Sequence, residues 1–237
     1  DGLGVTKPFD VAFGSDGNAY VTGTEGYNLA LVAPDGTLVR TIEGFHRPMG
    51  ISADAQGRLW VANSGLVDLP CPTKDIDAVP PPSLGHIDPS TGEVTTFSGG
   101  GLTIPWGTSI DGYGNIWVSN FGGARLSGFC GRDDSPHCPE GVGKGGALSP
   151  PITGFAFDGL RRATATHADT AGNLWVTNNW KELPLEVNPG GYQVVVFLGI
   201  AGPLEAPAPE PEPVDPPTPA PTSPAPTAVP VAPRFTG

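Results

Sequence analysis

One frame recurs four times along the chain, and nothing else in the sequence restricts the fold as tightly. It runs from Pro8 to Gly17, from Pro48 to Gly57, from Pro105 to Gly114 and from Ala163 to Gly172. Each copy is followed by a run of strand formers: Asn18-Ala-Tyr-Val-Thr-Gly23, Arg58-Leu-Trp-Val-Ala-Asn63, Asn115-Ile-Trp-Val-Ser-Asn120 and Asn173-Leu-Trp-Val-Thr-Asn178. The first half of each frame alternates small and apolar residues, and large β-formers dominate the second. A polar pair and a glycine separate the halves, so each copy reads as strand, tight turn, strand. The glycine supplies positive φ at the turn, and Asp54, Asp111 and Asp169, three residues earlier, can accept the turn amides. The first copy has Gly14 at that position.

A second hairpin follows, plainest at Leu29–Ile42 and at Gly85–Phe97, which makes four strands per unit. Four-stranded units of 40 to 50 residues in series are the sequence form of β-propeller blades, each burying its faces against its neighbours. The expected architecture is all-β, with blades at about 8–44, 48–97, 105–157 and 163–202 inside a domain spanning 1–202. Tyr20, Trp60, Trp117 and Trp175 share one frame position and are expected to fill the space between blades. The excess over a 40-residue repeat falls in insertions at Leu66–Ser83 and Phe129–Pro150, which follow adjacent blades and are expected to form a shared lid. Four copies suit a closed four-blade ring, a part of a longer ring, or an arc completed by a second copy.

Composition supports this reading and sets its limits. Gly 35 and Pro 29 in 237 residues leave no room for a helical bundle. From Pro203 onward 13 of 35 residues are Pro, so 203–237 is expected to be an extended, polyproline-like spacer. A formal charge of −12 argues against nucleic acid as a partner. The longest apolar run, Val194–Leu198, is far short of a membrane span, so no membrane insertion is expected. The chain opens at Asp1 with neither an initiator Met nor a basic-then-apolar leader, which reads as a processed or partial form. Of three cysteines, Cys130 and Cys138 are close enough for a local disulfide, leaving Cys71 over and favouring an oxidising compartment.

The frame Pro-x-Gly-x-x-x-Asp-x-x-Gly-Asn-x-Trp-Val, with Gly85-His-Ile-Asp-Pro-Ser-Thr-Gly-Glu-Val-Thr-Thr-Phe97 between copies, resembles the NHL-repeat and virginiamycin B lyase-like propellers over residues 8 to about 202. The last copy also resembles the terminal blade of secreted bacterial NHL-type proteins, which implies an extracellular or cell-surface location. The lyase resemblance implies a divalent metal held by glutamates near the channel mouth, with a histidine as acid or base. The residues that close the second strands, Gly23, Asn63, Asn120 and Asn178, include no carboxylate.

Gluconolactonase-like propellers, by comparison, hold a divalent cation with mixed Asn, Asp and Glu. That likeness makes Asn63, Asn120, Asn178 and Asp10 the candidate binding residues, with anchoring of strand ends as their bland alternative. His167, on the innermost strand of the fourth copy and two residues before Asp169, is the candidate acid–base group. No metal-ligand cluster of zinc spacing is present, and no cofactor other than such a cation is implied. The expected function is therefore a secreted or cell-surface binding protein that recognises a protein or glycan through rim loops. Two alternatives stand beside it: a metal-dependent lyase or hydrolase at the channel, and a self-associating subunit of an extracellular assembly.

Overall fold

A computed structural model describes residues 2–65, 80–178 and 193–206. The protein is a β-propeller arc of four antiparallel sheets, and the described residues contain no helix. Blade one is β1 (Pro8–Phe13), β2 (Ala19–Gly23), β3 (Asn28–Val32) and β4 (Leu38–Ile42). Blade two is β5 (Pro48–Ala53), β6 (Leu59–Asn63), β7 (Ser83–Ile87) and β8 (Val94–Phe97). Blade three is β9 (Pro105–Ile110), β10 (Ile116–Asn120), β11 (Arg125–Phe129) and β12 (Phe155–Ala156). Among the described residues blade four has three strands against the four expected, β13 (Ala165–Ala168), β14 (Leu174–Thr177) and β15 (Val194–Phe197). After β15 the chain turns at Gly199 and crosses the neighbouring hairpins instead of pairing again. Residues up to Glu205 belong to one compact unit, and residues 207–237, which carry most of the expected proline-rich spacer, lie outside the described residues.

Each recurring frame is the inner hairpin of a blade. The turn glycines Gly17, Gly57, Gly114 and Gly172 have φ of 76, 71, 78 and 81°, a region that a side chain would strain. Strand pairing then decides which way each side chain points. Ala12 pairs with Tyr20, Ser52 with Trp60, Ser109 with Trp117 and His167 with Trp175, so the tyrosine and the tryptophans all lie on one face, called here the forward face.

The forward face of each blade packs on the backward face of the next. Tyr20, Leu29 and Leu31 meet Ile51, Leu59 and Val61; Trp60 and Leu84 meet Ile116 and Val118; Trp117 and Leu126 meet Leu174 and Val176. The inner strands pack in series, β1 on β5, β5 on β9 and β9 on β13. Between β5 and β9 the approach is so close that a Cβ on Gly50 would stand 2.7 Å from the Trp106 carbonyl oxygen. Ser52 Oγ bonds across the same seam to the Thr108 carbonyl at 2.9 Å.

Three seams are thus closed, and both ends of the arc are open. Tyr20, Trp60 and Trp117 are 0, 0 and 2 % exposed, whereas Trp175 is 47 % exposed. On the backward face of blade one, Val11 and Phe13 are 48 and 67 % exposed. Blade one therefore does not cover blade four, and the closed four-blade ring is ruled out as the arrangement of this single chain.

The insertions also depart from expectation. Residues 64–82 join β6 to β7 at the end of the strands where Pro48 and Pro105 lie: Ser64 Oγ donates to the Pro105 carbonyl and Gly65 N to the His46 carbonyl. Residues 130–154 join β11 to β12 at the opposite end, beside the turn glycines, where a Cβ on Gly131 would run into the Gly114 carbonyl. The two insertions are thus rooted at opposite ends of the strands, and residues 66–79 of the first, on which the expected shared lid depends, lie outside the described residues. Cys71, at 66–79, lies outside the described residues.

Candidate functional site

The strand directions give the arc two ends with different chemistry. The hairpin end is built on the turn carboxylates. Asp111 Oδ1 accepts from the Tyr113 and Asn115 amides, and its Oδ2 accepts from Trp117 Nε1 at 2.9 Å and from the Gly202 amide at 2.8 Å. Asp169 repeats the pattern with the Ala171 and Asn173 amides and Trp175 Nε1 at 2.8 Å. The indole N–H of Trp175, with the amide and side chain of Asn173, holds the Asp169 carboxyl well below the usual carboxylate range.

In blade one Asp16, two residues later in the frame, serves Tyr20 Oη at 2.9 Å. Burial opposes ionisation there, but hydrogen bonds from Asn18 and Tyr20 keep this carboxyl lowered. Blade two departs again, since Asp54 Oδ2 takes Arg58 Nε at 2.7 Å and Trp60 Nε1 is left without a hydrogen-bond partner. Trp60 packs edge-on against His86 at 4.6 Å. Burial pushes the His86 imidazole down to about 4, helped by the nearby positive charges of Lys144 and Arg58, so it is neutral at physiological pH.

The segment after β15 straps this end. Ala201 N donates to the Gly172 carbonyl, Gly112 N to Gly202, and Leu204 N to Asp169, carrying the chain from the turn of blade four over that of blade three. It finishes at a cavity of about 410 Å³ lined by Asp54, Arg58, Asp111, Tyr113, Arg132 and Glu205, among others. The loop closed by the Cys130–Cys138 disulfide lies on the same end, with His137 stacked on Tyr113 at 3.5 Å.

The proline end carries aromatic rings and arginines. Phe9 of blade one meets Trp106 of blade three edge-on at 5.5 Å. Trp106 stacks on Phe121 at 4.6 Å, and the Arg162 guanidinium lies 5.1 Å from the Phe121 ring centre, with Nη1 donating to the Phe121 carbonyl. Beside them Arg47 sits 5.6 Å from the centre of the Tyr27 ring. Phe9 and Tyr27 are 44 and 45 % exposed, so the row presents rings to solvent while Trp106, at 6 %, anchors it from beneath.

The residues singled out in the sequence have other partners. Asn120 Oδ1 accepts from the Thr103 amide, and Asn178 Oδ1 from the amides of Arg161 and Arg162. Both thereby hold the loop that leads into their own blade. Asn63 Nδ2 donates to Ser83 Oγ; its Oδ1 is buried without a partner, a single neutral oxygen and no carboxylate beside it in that bond network. The Asp10 carboxylate accepts from the Val11 amide and, across the first seam, from the Ile51 amide at 3.0 Å. Among the described residues no group of three or more His, Cys, Asp or Glu side chains is placed to hold a metal ion.

His167 faces forward with Trp175 and is exposed. Asp169, expected to polarise it, spends its oxygens on the turn amides and on Trp175. Phe9, Met49 and Trp106 share one frame position, a recurrence that could have pointed to the ring-to-ring contact between blades one and three.

No family model matches the chain, and neither does any curated protein. Solved structures do. A gluconolactonase from Xanthomonas campestris aligns with a TM-score of 0.56 at 16 % identity, over 82 % of this chain and 59 % of its own. Virginiamycin B lyase from Staphylococcus aureus, in a catalytically inactive form with quinupristin, aligns at 0.52 and 19 % identity, over 72 and 48 %. A chain of the nidogen/laminin complex aligns at 0.50 and 16 %, over 81 and 63 %. The chain therefore spans about half to two thirds of the length of these neighbours, and at such identities the likeness establishes the propeller fold.

Proposed function

We propose that the chain is an extracellular binding module that recognises a protein through the proline end of its blades. The observation that carries this reading is the aromatic and arginine row of Phe9, Trp106, Phe121 and Arg162, flanked by Tyr27 and Arg47. Exposed rings over a buried anchor, with the Arg162 guanidinium alongside, are the composition of interface hot spots, and the buried Arg47 backs Tyr27 from within the fold. A glycan is less well served. The largest ring of the row, the Trp106 indole, offers no open face to a sugar, being 6 % exposed with Phe121 stacked against it. The Cys130–Cys138 disulfide supports a location outside the cell. Enzyme chemistry finds little support, because the amides of Asn120 and Asn178 and the Asp10 carboxylate are spent on backbone.

A peptide display library and a glycan array, both probed with the whole chain, test the proposal. Selected peptides should lose at least about tenfold in affinity for a Phe9→Ser/Tyr27→Ser variant. Failure to select any peptide, peptide binding that ignores the double substitution, or specific glycan binding in its place would each overturn it.

A further inference from the structure

We infer that a second copy of this chain completes the ring, the forward face of blade four in each copy packing on the backward face of blade one in the other. The three internal seams define what a forward face requires: a large ring at the Tyr20, Trp60 or Trp117 position, covered by apolar side chains of the next blade. Blade four presents the same face uncovered. Trp175 and Val194 are 47 and 51 % exposed there, and Val196 lies beside them, cross-strand from Trp175. Blade one presents the matching half, with Val11 and Phe13 on the side away from Tyr20. One chain thus carries both halves of a fourth seam at its two ends.

Smaller features fit the same pairing. Seven positions before the turn glycine, the second and third seams have Gly50 and Gly107, each close against the next inner strand, and the first has Asp10, which bonds across to Ile51; blade four has Ala165, exposed. Ser52 reaches the Thr108 carbonyl across its seam, and His167 occupies the position of Ser52 in blade four. In the shared seam it would face Val11 of the second copy and donate to that residue's carbonyl.

Because the two halves differ, the contact is head-to-tail, and two copies close on themselves with two equal seams around a two-fold axis, making eight blades. This pairing uses neither the proline end nor its rings, so it stands or fails separately from the binding proposal.

The test is the mass of the full chain by light scattering at about 10 μM, together with Trp175→Asp and Phe13→Asp. Both side chains are half-exposed or more in the single copy, so both variants should fold, which near-UV circular dichroism checks. Wild type should have twice the chain mass and each variant the mass of one chain. An equimolar mixture of the two variants should regain part of the dimer, since one of its two seams is intact. A monomeric wild type, a concentration-dependent ladder of larger species, or a Phe13→Asp variant that remains dimeric would each overturn the inference; the last would mean that Trp175 packs on its own equivalent.

Discussion

Replacing Asp111 by alanine should destabilise the fold far more than the same change at Asp169, although the two carboxylates serve the same kinds of donor. Asp111 is 5 % exposed and holds the Tyr113 and Asn115 amides, the indole of a tryptophan that is 2 % exposed, and the Gly202 amide of the strap. Without the carboxylate, at least the last two donors are left where water does not readily reach them. A buried donor stripped of a charged partner costs about 1–3 kcal/mol, so the loss at Asp111 should be about 3–5 kcal/mol. The Asp169 carboxylate holds no strap amide, and its tryptophan is half exposed, so water takes over the freed donors and the loss should be much smaller.

Urea unfolding followed by tryptophan fluorescence reads the difference. With a slope of about 2 kcal/mol/M, the midpoint should fall by about 2 M for Asp111→Ala and by clearly less for Asp169→Ala. Both substitutions are best made in the Phe13→Asp background, which keeps Trp175 uncovered. Equal shifts would refute the reasoning, since they would mean that burial of the indole and the strap has no bearing on what the carboxylate contributes.

Two further outcomes follow from the blade seams and the hairpin end. His86 is neutral in the fold with its pKa pushed down to about 4, against an ordinary 6.5, so the unfolded chain binds the extra proton first. Stability is therefore fully present above pH 6.5 and declines as the pH falls to 4, by at most about 3 kcal/mol, and thermal melts of His86→Phe should lack that decline. The disulfide closes a loop with a sequence separation of 8, and Cys130→Ala/Cys138→Ala should lower stability by about 2–3 kcal/mol in urea unfolding.

The inner hairpins were legible because their information is local. A turn glycine at positive φ, an aspartate three residues earlier and an aromatic three residues later act within ten residues, and they recur. The facing of His167 was legible in principle as well: a fixed turn sets the register, and the register places His167 opposite Trp175, on the seam face and away from the channel. The roles of the asparagines were not legible. An amide at a strand end suits a cation and a loop equally, and what decides is a backbone donor such as Arg161 N, 17 residues upstream of Asn178. The exchange of tyrosine for tryptophan in blade one, with Asp16 replacing the missing turn aspartate, is the kind of compensation that becomes visible only when Tyr20 Oη is seen to reach it.

The three-stranded fourth blade and the strap have one physical cause. Gly199 takes φ of 63° directly after β15, so the chain leaves the sheet where a fourth strand would begin. It then finds partners on the turns of blades three and four: the Gly172 carbonyl for Ala201, Asp111 and Gly112 for Gly202, and the Asp169 carbonyl for Leu204. A fourth strand would have exchanged hydrogen bonds with β15 alone and left the turns of blades three and four tied to nothing but their own hairpins. The strap instead cross-links two blades through a buried carboxylate. It also accounts for the close fit at Gly112, where an added Cβ would overlap the Pro203 carbonyl. A blade at the open end of an arc has lost one neighbour, and a segment that ties its turn to the preceding blade compensates for that loss while leaving the face around Trp175 bare.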